Sequence, residues 1–468
     1  MIEIHVNGSK TIYCNQGELL FDVLVKNGIQ FIGNCGGMGR CNACTVYDEL
    51  HSVYIRSCKH EITENMQISL HDKKPDILNT YISDMTGEAG TDSTHRADDM
   101  KNYGIAIDVG TTTIAMELIA LSCNQVCGSY QTYNSQISHG ADVISRIAYG
   151  ISDLGFQELK KLVLLDLYKG MMALTEQGKT SIERIVIAGN TTMLSIIEGY
   201  TLENLAGYPF TIKNRDVEVL NGAALFCQVA DDVSFLADTS VVCLPNVSAF
   251  VGADVAAGAF VTGVGNDDSY KMLIDLGTNG EIILANHKKG YATSCACGPA
   301  FEGCFRSGSM QGTSLFDMLT ILRKRNVIDK QGILAEPYFK NGYHAGRDMV
   351  IDMELIQGFL LAKAAIGAGI TTLLKECGIE SKDISKIYIS GGFGFHLNIA
   401  NAIYLGMFPE SFRDKAVASG NTSLLGARSC LVDEEKIKAL NSFIDRIIPV
   451  NMGENRDFDR NYIKDMQL

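Results

Sequence analysis

The sequence predicts an α/β multidomain protein: a small β-grasp unit at the N-terminus, then two related α/β lobes facing a shared cleft. Three observations carry this. Short β-type runs alternate about a turn signal before residue 75. A polar stretch without periodicity follows, and beyond it two strand-plus-glycine patterns each occur twice. The chain divides accordingly into a first domain over residues 1–75, a flexible linker over 76–101 and a two-lobed region over 102–468. The lobes span about 102–265 and 266–468.

Within the first domain, "IEIHVNGSKTIYC" alternates about Asn7-Gly8, the strongest short hairpin signal. "ELLFDVLVKNG" has helical apolar spacing, with Gly28 where a C-terminal cap belongs. "MQISLH" reads as a closing strand. The stretch "DKKPDILNTYISDMTGEAGTDSTHRADDMKN", which contains the linker, is polar and carries Pro75. Past it, "IAIDVGTTTIA" at Ile105 returns as "MLIDLGTNGEI" at Met272, and "RIVIAGNTTML" at Arg184 returns as "KIYISGGFGFHL" at Lys386. A pattern that returns in order is the mark of duplicated lobes. "DMELIQGFLLAKAAIGAGITTLLKECG" reads as an amphipathic helix, with Lys363 facing either a nucleotide or solvent.

At 468 residues the chain is too long for a single core. Apolar residues make up 46% and charged residues 20%, which disfavours disorder. The most apolar window, from Val241, is broken by Pro245, Asn246 and Asp254 and does not read as a membrane span. No basic-then-apolar leader opens the chain, so a cytoplasmic protein is expected, without membrane attachment. A net charge of −14 argues against nucleic acid as a partner.

In a reducing compartment, clustered cysteines point to metal or catalysis rather than to disulfides. Cys35, Cys41, Cys44 and Cys58 give the spacing C-x5-C-x2-C-x13-C. Plant-type 2Fe-2S clusters use C-x4-C-x2-C with a distant fourth cysteine. Gly36, Gly37 and Gly39 let a loop fold around such a cluster without Cβ clashes. A zinc site normally takes two separated C-x2-C knuckles, and here only Cys41 and Cys44 form one. Cys14 competes with Cys58 for the fourth place. Cys295, Cys297 and Cys304 read as a nucleotide-facing loop rather than a second metal site, Cys123 and Cys127 as packing residues, and His396 as structural.

"IDVGTTT" has a mechanism of its own. A strand delivers Asp108 to its end, Gly110 permits a tight turn, and Thr111, Thr112 and Thr113 offer N–H and hydroxyl donors to phosphate oxygens. Asp108 would hold Mg2+, through water. Asp275, Gly277, Thr278, Asn279 and Gly280 would grip the same polyphosphate from the other lobe, with Asp275 orienting a water for in-line attack. No Walker A pattern is present.

These stretches carry two resemblances. The paired loops with "IYISGGFGFHLN" resemble the ASKHA superfamily of acetate and sugar kinases, Hsp70 and actin. This implies ATP as ligand, with Ile105 to Thr113 and Leu273 to Glu281 as the phosphate motifs and Gly391, Gly392 and Gly394 as the adenosine motif. "CGGMGRCNAC" with "RSC" resembles the ferredoxin-like 2Fe-2S module of the reductive activators of corrinoid proteins. "GADVISRI", "AGNTTML", "CLPNVSAFVGADVAAG", "ACGPAFEG" and "LAKAAIGAGI" narrow the likeness to that family. The resemblance implies an ATP-hydrolysing iron-sulfur oxidoreductase that returns the Co(II) of a corrinoid protein to Co(I). The partner would belong to an anaerobic methyltransferase system such as one for O-demethylation. A ferredoxin or flavodoxin would donate the electron, and a homodimer is the expected assembly. Longer relatives carry a further domain after the linker, whereas here Tyr103 enters the first phosphate motif almost directly. Two rivals stand beside this reading: an activator of radical dehydratases, and an ATP-switched redox sensor.

Overall fold

The computed structural model describes residues 2–7, 10–27, 29, 45–51, 53–70, 102–213, 215–297, 312–345, 350–394 and 397–468. The expected linker, Gly28, the three cysteines Cys35, Cys41 and Cys44 with their glycines, Cys304 and His396 lie outside the described residues.

The N-terminal sheet contains β1 (Ile2–Val6), β2 (Lys10–Cys14), β3 (Thr45–Asp48), β4 (Val53–Arg56) and β5 (Met66–Ser69). Their order is β2-β1-β5-β3-β4. β1 and β2 form the expected antiparallel pair, with Asn7 in the left-handed region at φ 49°. The helix Leu20–Lys26 covers one face, burying Leu20 and Leu24 against Ile4, Ile12 and Ile68. This is the β-grasp arrangement. β5 is the expected closing strand in chain order, and in the sheet it lies centrally, parallel to β1 and antiparallel to β3. The sequence reading missed β3 and β4, which are four residues each and too short to show a period.

Two six-stranded sheets follow. The first contains β6 (Tyr103–Val109), β7 (Thr113–Ala120), β8 (Gln125–Tyr133), β9 (Ile182–Gly189), β10 (Glu218–Asn221) and β11 (Ser240–Cys243), in the order β10-β11-β9-β6-β7-β8. After β12 (Tyr270–Leu276), β13 (Gly280–Ala285) and β14 (Gly290–Cys295) comes a small hairpin of β15 (Tyr343–His344) and β16 (Val350–Ile351). β17 (Ile384–Ser390), β18 (Ala416–Ala418) and β19 (Ile447–Pro449) complete the second sheet, in the order β18-β17-β12-β13-β14-β19. The repeated sequence patterns fall on equivalent strands. In each sheet three strands form an antiparallel meander, and the next long strand, β9 or β17, adds parallel to the first. β6 and β9 are buried along most of their length, as strands covered on both faces require, which explains their near-continuous apolar runs.

Two helices join the lobes. Ala253–Val261 follows β11, and Thr422–Val432 comes after β18 in sequence yet packs on β6 and β9 of the other sheet. They cross closely: a Cβ on Gly426 would lie 2.6 Å from the Ala257 backbone, and one on Gly258 would lie 2.4 Å from Thr422 Oγ1. Gly426→Ala is therefore expected to cost about 1–3 kcal/mol, since backbone rather than a side-chain tip must yield. A fall in the midpoint of thermal unfolding checks this, and an unchanged midpoint would show that the crossing relaxes freely.

The helix Met353–Cys377 starts at an Asp352 cap and ends at Gly378, whose φ is 73°. Its length and composition suit a membrane span, but 78% of its apolar window is buried inside the fold. Burial on most sides replaces the expected amphipathic pattern. Lys363 accordingly faces neither solvent nor nucleotide: it is 1% exposed, and its ammonium donates to the backbone carbonyls of Gly406 and Gln467. Cys123 and Cys127 are also corrected, being exposed at the β7–β8 hairpin rather than packed.

Candidate functional site

Asp108 stands near the end of β6, where the chain turns into β7. The turn is closed by the Gly110 N–H donating to Thr113 O at 2.9 Å, and a Cβ on Gly110 would sit 2.8 Å from that same oxygen. Only glycine fits so tight a reversal. Thr111 is buried, and its Oγ1 accepts from Asn190 Nδ2 at 3.0 Å. Asn190 caps the helix Thr191–Glu198 through its other amide atom, so β9's glycine end and the first loop are fixed to one another.

Both oxygens of Asp108 are held from the far end of the chain. Asn421 Nδ2 donates to Oδ2 at 2.8 Å and Ser423 Oγ donates to Oδ1 at 2.7 Å. Asn421 also caps the helix Thr422–Val432, accepting from Leu424 N at 2.8 Å. The signal was present in sequence, since "GNTS" before an apolar run is a helix start. What the sequence did not reveal is where that start would land.

In the second lobe, Asp275 Oδ2 accepts from Ser390 Oγ at 2.6 Å, and the Gly277 N–H donates to Asn279 O at 3.0 Å. Thr278 is buried, with Cys297 Sγ 3.7 Å from its carbonyl. Gly280 has a packing reason as well, for a Cβ there would lie 1.9 Å from Ile366 Cδ1. Gly391 and Gly394 bound a short helix directly after β17, and Gly392 is exposed within it. Gly391 has φ 87°, and a Cβ on it would meet Leu276 O at 2.4 Å and Asp275 Oδ1 at 2.7 Å. The fold thus sets the expected adenosine motif against the second loop.

Two acids join this junction that the sequence reading did not select. Asp254 lies in the first turn of the helix Ala253–Val261, and Glu281 follows Gly280 on β13. Burial pushes the Asp254 carboxyl up to about 8, with the charges of Asp108 and Asp275 adding to the effect. Burial raises Asp275 to about 6; the Ser390 hydrogen bond opposes this and Asp108 reinforces it. Glu281 is raised well above the carboxylate range, by burial first and then by Asp254 and Asp275. Asp108 is raised by burial, against the pull of Ser423 and Asn421. Four carboxyls at one junction, each resisting ionisation, are a set that a divalent cation would relieve. Among the described residues, no group of three or more His, Cys, Asp or Glu side chains is placed to hold a metal directly.

A pH dependence follows. A carboxyl whose folded pKa is raised contributes stability that is fully present below its unfolded pKa and is lost as pH rises through the folded value. Here the unfolded value for Asp is 3.8 and the folded values are about 6 for Asp275 and about 8 for Asp254. The nucleotide-free protein is expected to lose stability steadily from pH 4 to 8. Denaturant midpoints across that range measure it, and a flat profile would contradict the coupling.

In the N-terminal domain, Cys58 is buried in the short helix Ser57–Lys59. Its competitor Cys14 belongs to the apolar core with Ile2, Ile4 and Leu20, and burial raises its thiol pKa.

Comparison with known proteins agrees with this architecture. A model described as the RACo middle region matches residues 103–267, and one described as the C-terminal domain of RACo, the ASKHA domain, matches 269–314 and 304–468. A 2Fe-2S iron-sulfur cluster binding domain matches residues 1–73. The chain is 26% identical over 421 residues to the corrinoid activation enzyme RamQ of Eubacterium limosum, covering 77% of this chain and 69% of that protein. It is 22% identical over 391 residues to a Co(II) methylated amine-specific corrinoid protein reductase of Methanosarcina barkeri, covering 72% and 71%. The solved structure of a reductive activator for a corrinoid, iron-sulfur protein superposes with a TM-score of 0.70 at 22% identity, covering 100% of this chain and 98% of that one. With RACo models across both lobes and an iron-sulfur domain before them, the chain belongs to the RACo family of reductive activators of corrinoid proteins.

Proposed function

We propose that the chain is an ATP-dependent reductive activator that returns the inactive Co(II) of a corrinoid protein to Co(I) by transfer of one electron. The observation that carries this reading is the union, in one polypeptide, of a 2Fe-2S domain with a junction where two glycine-threonine loops and four carboxyls of raised pKa meet. When bound, the cluster supplies a one-electron carrier, and ATP with Mg2+ supplies free energy for a step in which each tenfold unfavourable ratio amounts to about 59 mV.

The protein's own residues divide the work. Cys35, Cys41 and Cys44 hold the cluster with Cys58, a choice supported by the place of Cys14 in the apolar core. Asp108, its oxygens fixed by Asn421 and Ser423, would hold Mg2+ beside the phosphates, and the metal would supply charge neutralisation there. Thr111, Thr112, Thr113, Thr278 and Asn279 donate to phosphate oxygens, with Gly110, Gly277 and Gly280 shaping the two loops. Gly391, Gly392 and Gly394 receive the adenosine. Asp275 orients the attacking water, and Asp254, held protonated near neutral pH in the nucleotide-free protein by a pKa of about 8, would ionise beside Mg2+ and only then take its proton. The partner is a corrinoid protein of a methyltransferase system. A ferredoxin or flavodoxin supplies the electron, and the protein works in the cytoplasm as a homodimer.

The deciding experiment incubates anaerobically purified protein with a Co(II) corrinoid protein and a reductant, following the Co(I) absorption band. Co(I) is expected only when ATP is present. Silence with every corrinoid partner, in a preparation whose cluster is intact, would overturn the reading.

A further inference from the structure

Behind the first phosphate loop lies a buried polar bracket that no part of the mechanism above uses. Asn134, Gln136 and Arg146 are each 0% exposed. Asn134 Nδ2 donates to Gly110 O at 2.9 Å, Arg146 Nη2 donates to Thr111 O, and the Asn134 backbone N–H donates to Thr112 O at 2.9 Å. Three successive loop carbonyls are thus held from inside the lobe. The bracket is itself fixed. Arg146 Nε donates to Gly140 O at 2.8 Å and Nη1 to Gln136 Oε1 at 3.1 Å, while Asn134 Oδ1 accepts from Gln136 N at 3.1 Å. Gln136 Nε2 in turn donates to Leu159 O at 2.9 Å, anchoring the group to the helix Asp153–Leu174.

A trans peptide is planar, with its C=O and N–H pointing in opposite directions. Fixing the carbonyls of Gly110 and Thr111 inward therefore fixes the N–H groups of Thr111 and Thr112 outward. We propose that Asn134 and Arg146 are positioning residues that aim these two N–H donors at the nucleotide phosphates before ligand arrives. This rests on the reading of Ile105 to Thr113 as a phosphate loop. Donors aligned in advance need no reorganisation on binding, which is where such groups gain their effect. The Arg146 guanidinium adds a weakly screened positive charge behind the loop, favourable to a polyphosphate. Arg146→Lys keeps the charge and loses the planar fork, so it isolates the orienting role.

The test uses the full-length protein and isothermal titration with Mg·ATP and with adenosine, which lacks phosphates. Arg146→Lys and Asn134→Ser are each expected to weaken Mg·ATP about tenfold or more and to leave adenosine unchanged. Equal weakening of both ligands would mean that the residues merely brace the fold, and Mg·ATP affinity kept within twofold would likewise overturn the proposal. If Arg146→Lys fails to fold, Asn134→Ser carries the comparison alone. Wild-type protein that binds adenosine as tightly as Mg·ATP would instead defeat the phosphate-loop reading itself.

Discussion

Asp254→Asn is expected to lower the rate of ATP hydrolysis about 10²–10⁴-fold, the usual contribution of a positioned proton acceptor, while Mg·ATP still binds. The same change should stabilise the nucleotide-free protein, which a merely damaging substitution would not do. In the empty junction burial and the charges of Asp108 and Asp275 hold Asp254 protonated up to a pKa of about 8, whereas in the unfolded chain it ionises near 3.8. The unfolded state alone gains from ionisation between those values, so wild-type stability falls across them. Asparagine resembles the protonated acid and has no such loss. Its stabilising effect should grow from pH 4 to pH 8 and then level off. Hydrolysis retained within a few-fold would remove Asp254 from the proton-accepting role. The variant also separates two accounts of energy coupling. If it still produces Co(I) with ATP present, nucleotide binding drives the electron transfer, and if it does not, turnover is required.

The two-lobed architecture was legible because its signals are local. An apolar strand ending in a single acid and a glycine-threonine turn occurs at Asp108 and again at Asp275, and the meanders that follow them match strand for strand. The iron-sulfur domain was legible from clustered cysteines with interleaved glycines, beside the hairpin and helix signals, together with the family resemblance that "CGGMGRCNAC" carries. The partners of Asp108 were not, because Asn421 and Ser423 stand 313 and 315 residues away and reach it only through the helix that crosses back onto the first sheet. Asp254 hid for a related reason. As the first acid of a helix rich in small residues it reads as a favourable helix-start charge, and its strong perturbation comes from burial in the folded junction first and from the convergence of Asp108 and Asp275 second. Lys363 shows the opposite failure: a lone lysine in an apolar helix suggests an exposed edge until the C-terminal residues fold over it.

Cys44→Ala and Asp108→Ala should each abolish ATP-dependent formation of Co(I), by losses that leave different remains. Without Cys44 the cluster has too few thiolates, so its visible absorption and its reduced-state paramagnetic signal should disappear while Mg·ATP affinity is kept; Cys41→Ala should behave alike. Without Asp108 the reverse is expected. The cluster signals persist, and nucleotide affinity falls because magnesium loses its anchor and the Asn421 and Ser423 donors are left without their acceptor, a loss on the order of 1–3 kcal/mol for each unsatisfied group. Equal loss of both properties in either variant would contradict two separable modules. The same absorption measurement decides the fourth ligand. Cys58→Ala should remove or distort the cluster, whereas Cys14→Ala trims a core side chain packed with Ile2 and Ile4 and should lower stability with the cluster intact. The opposite result would require Cys14 to leave that core in the cluster-bound protein and would transfer the fourth position to it.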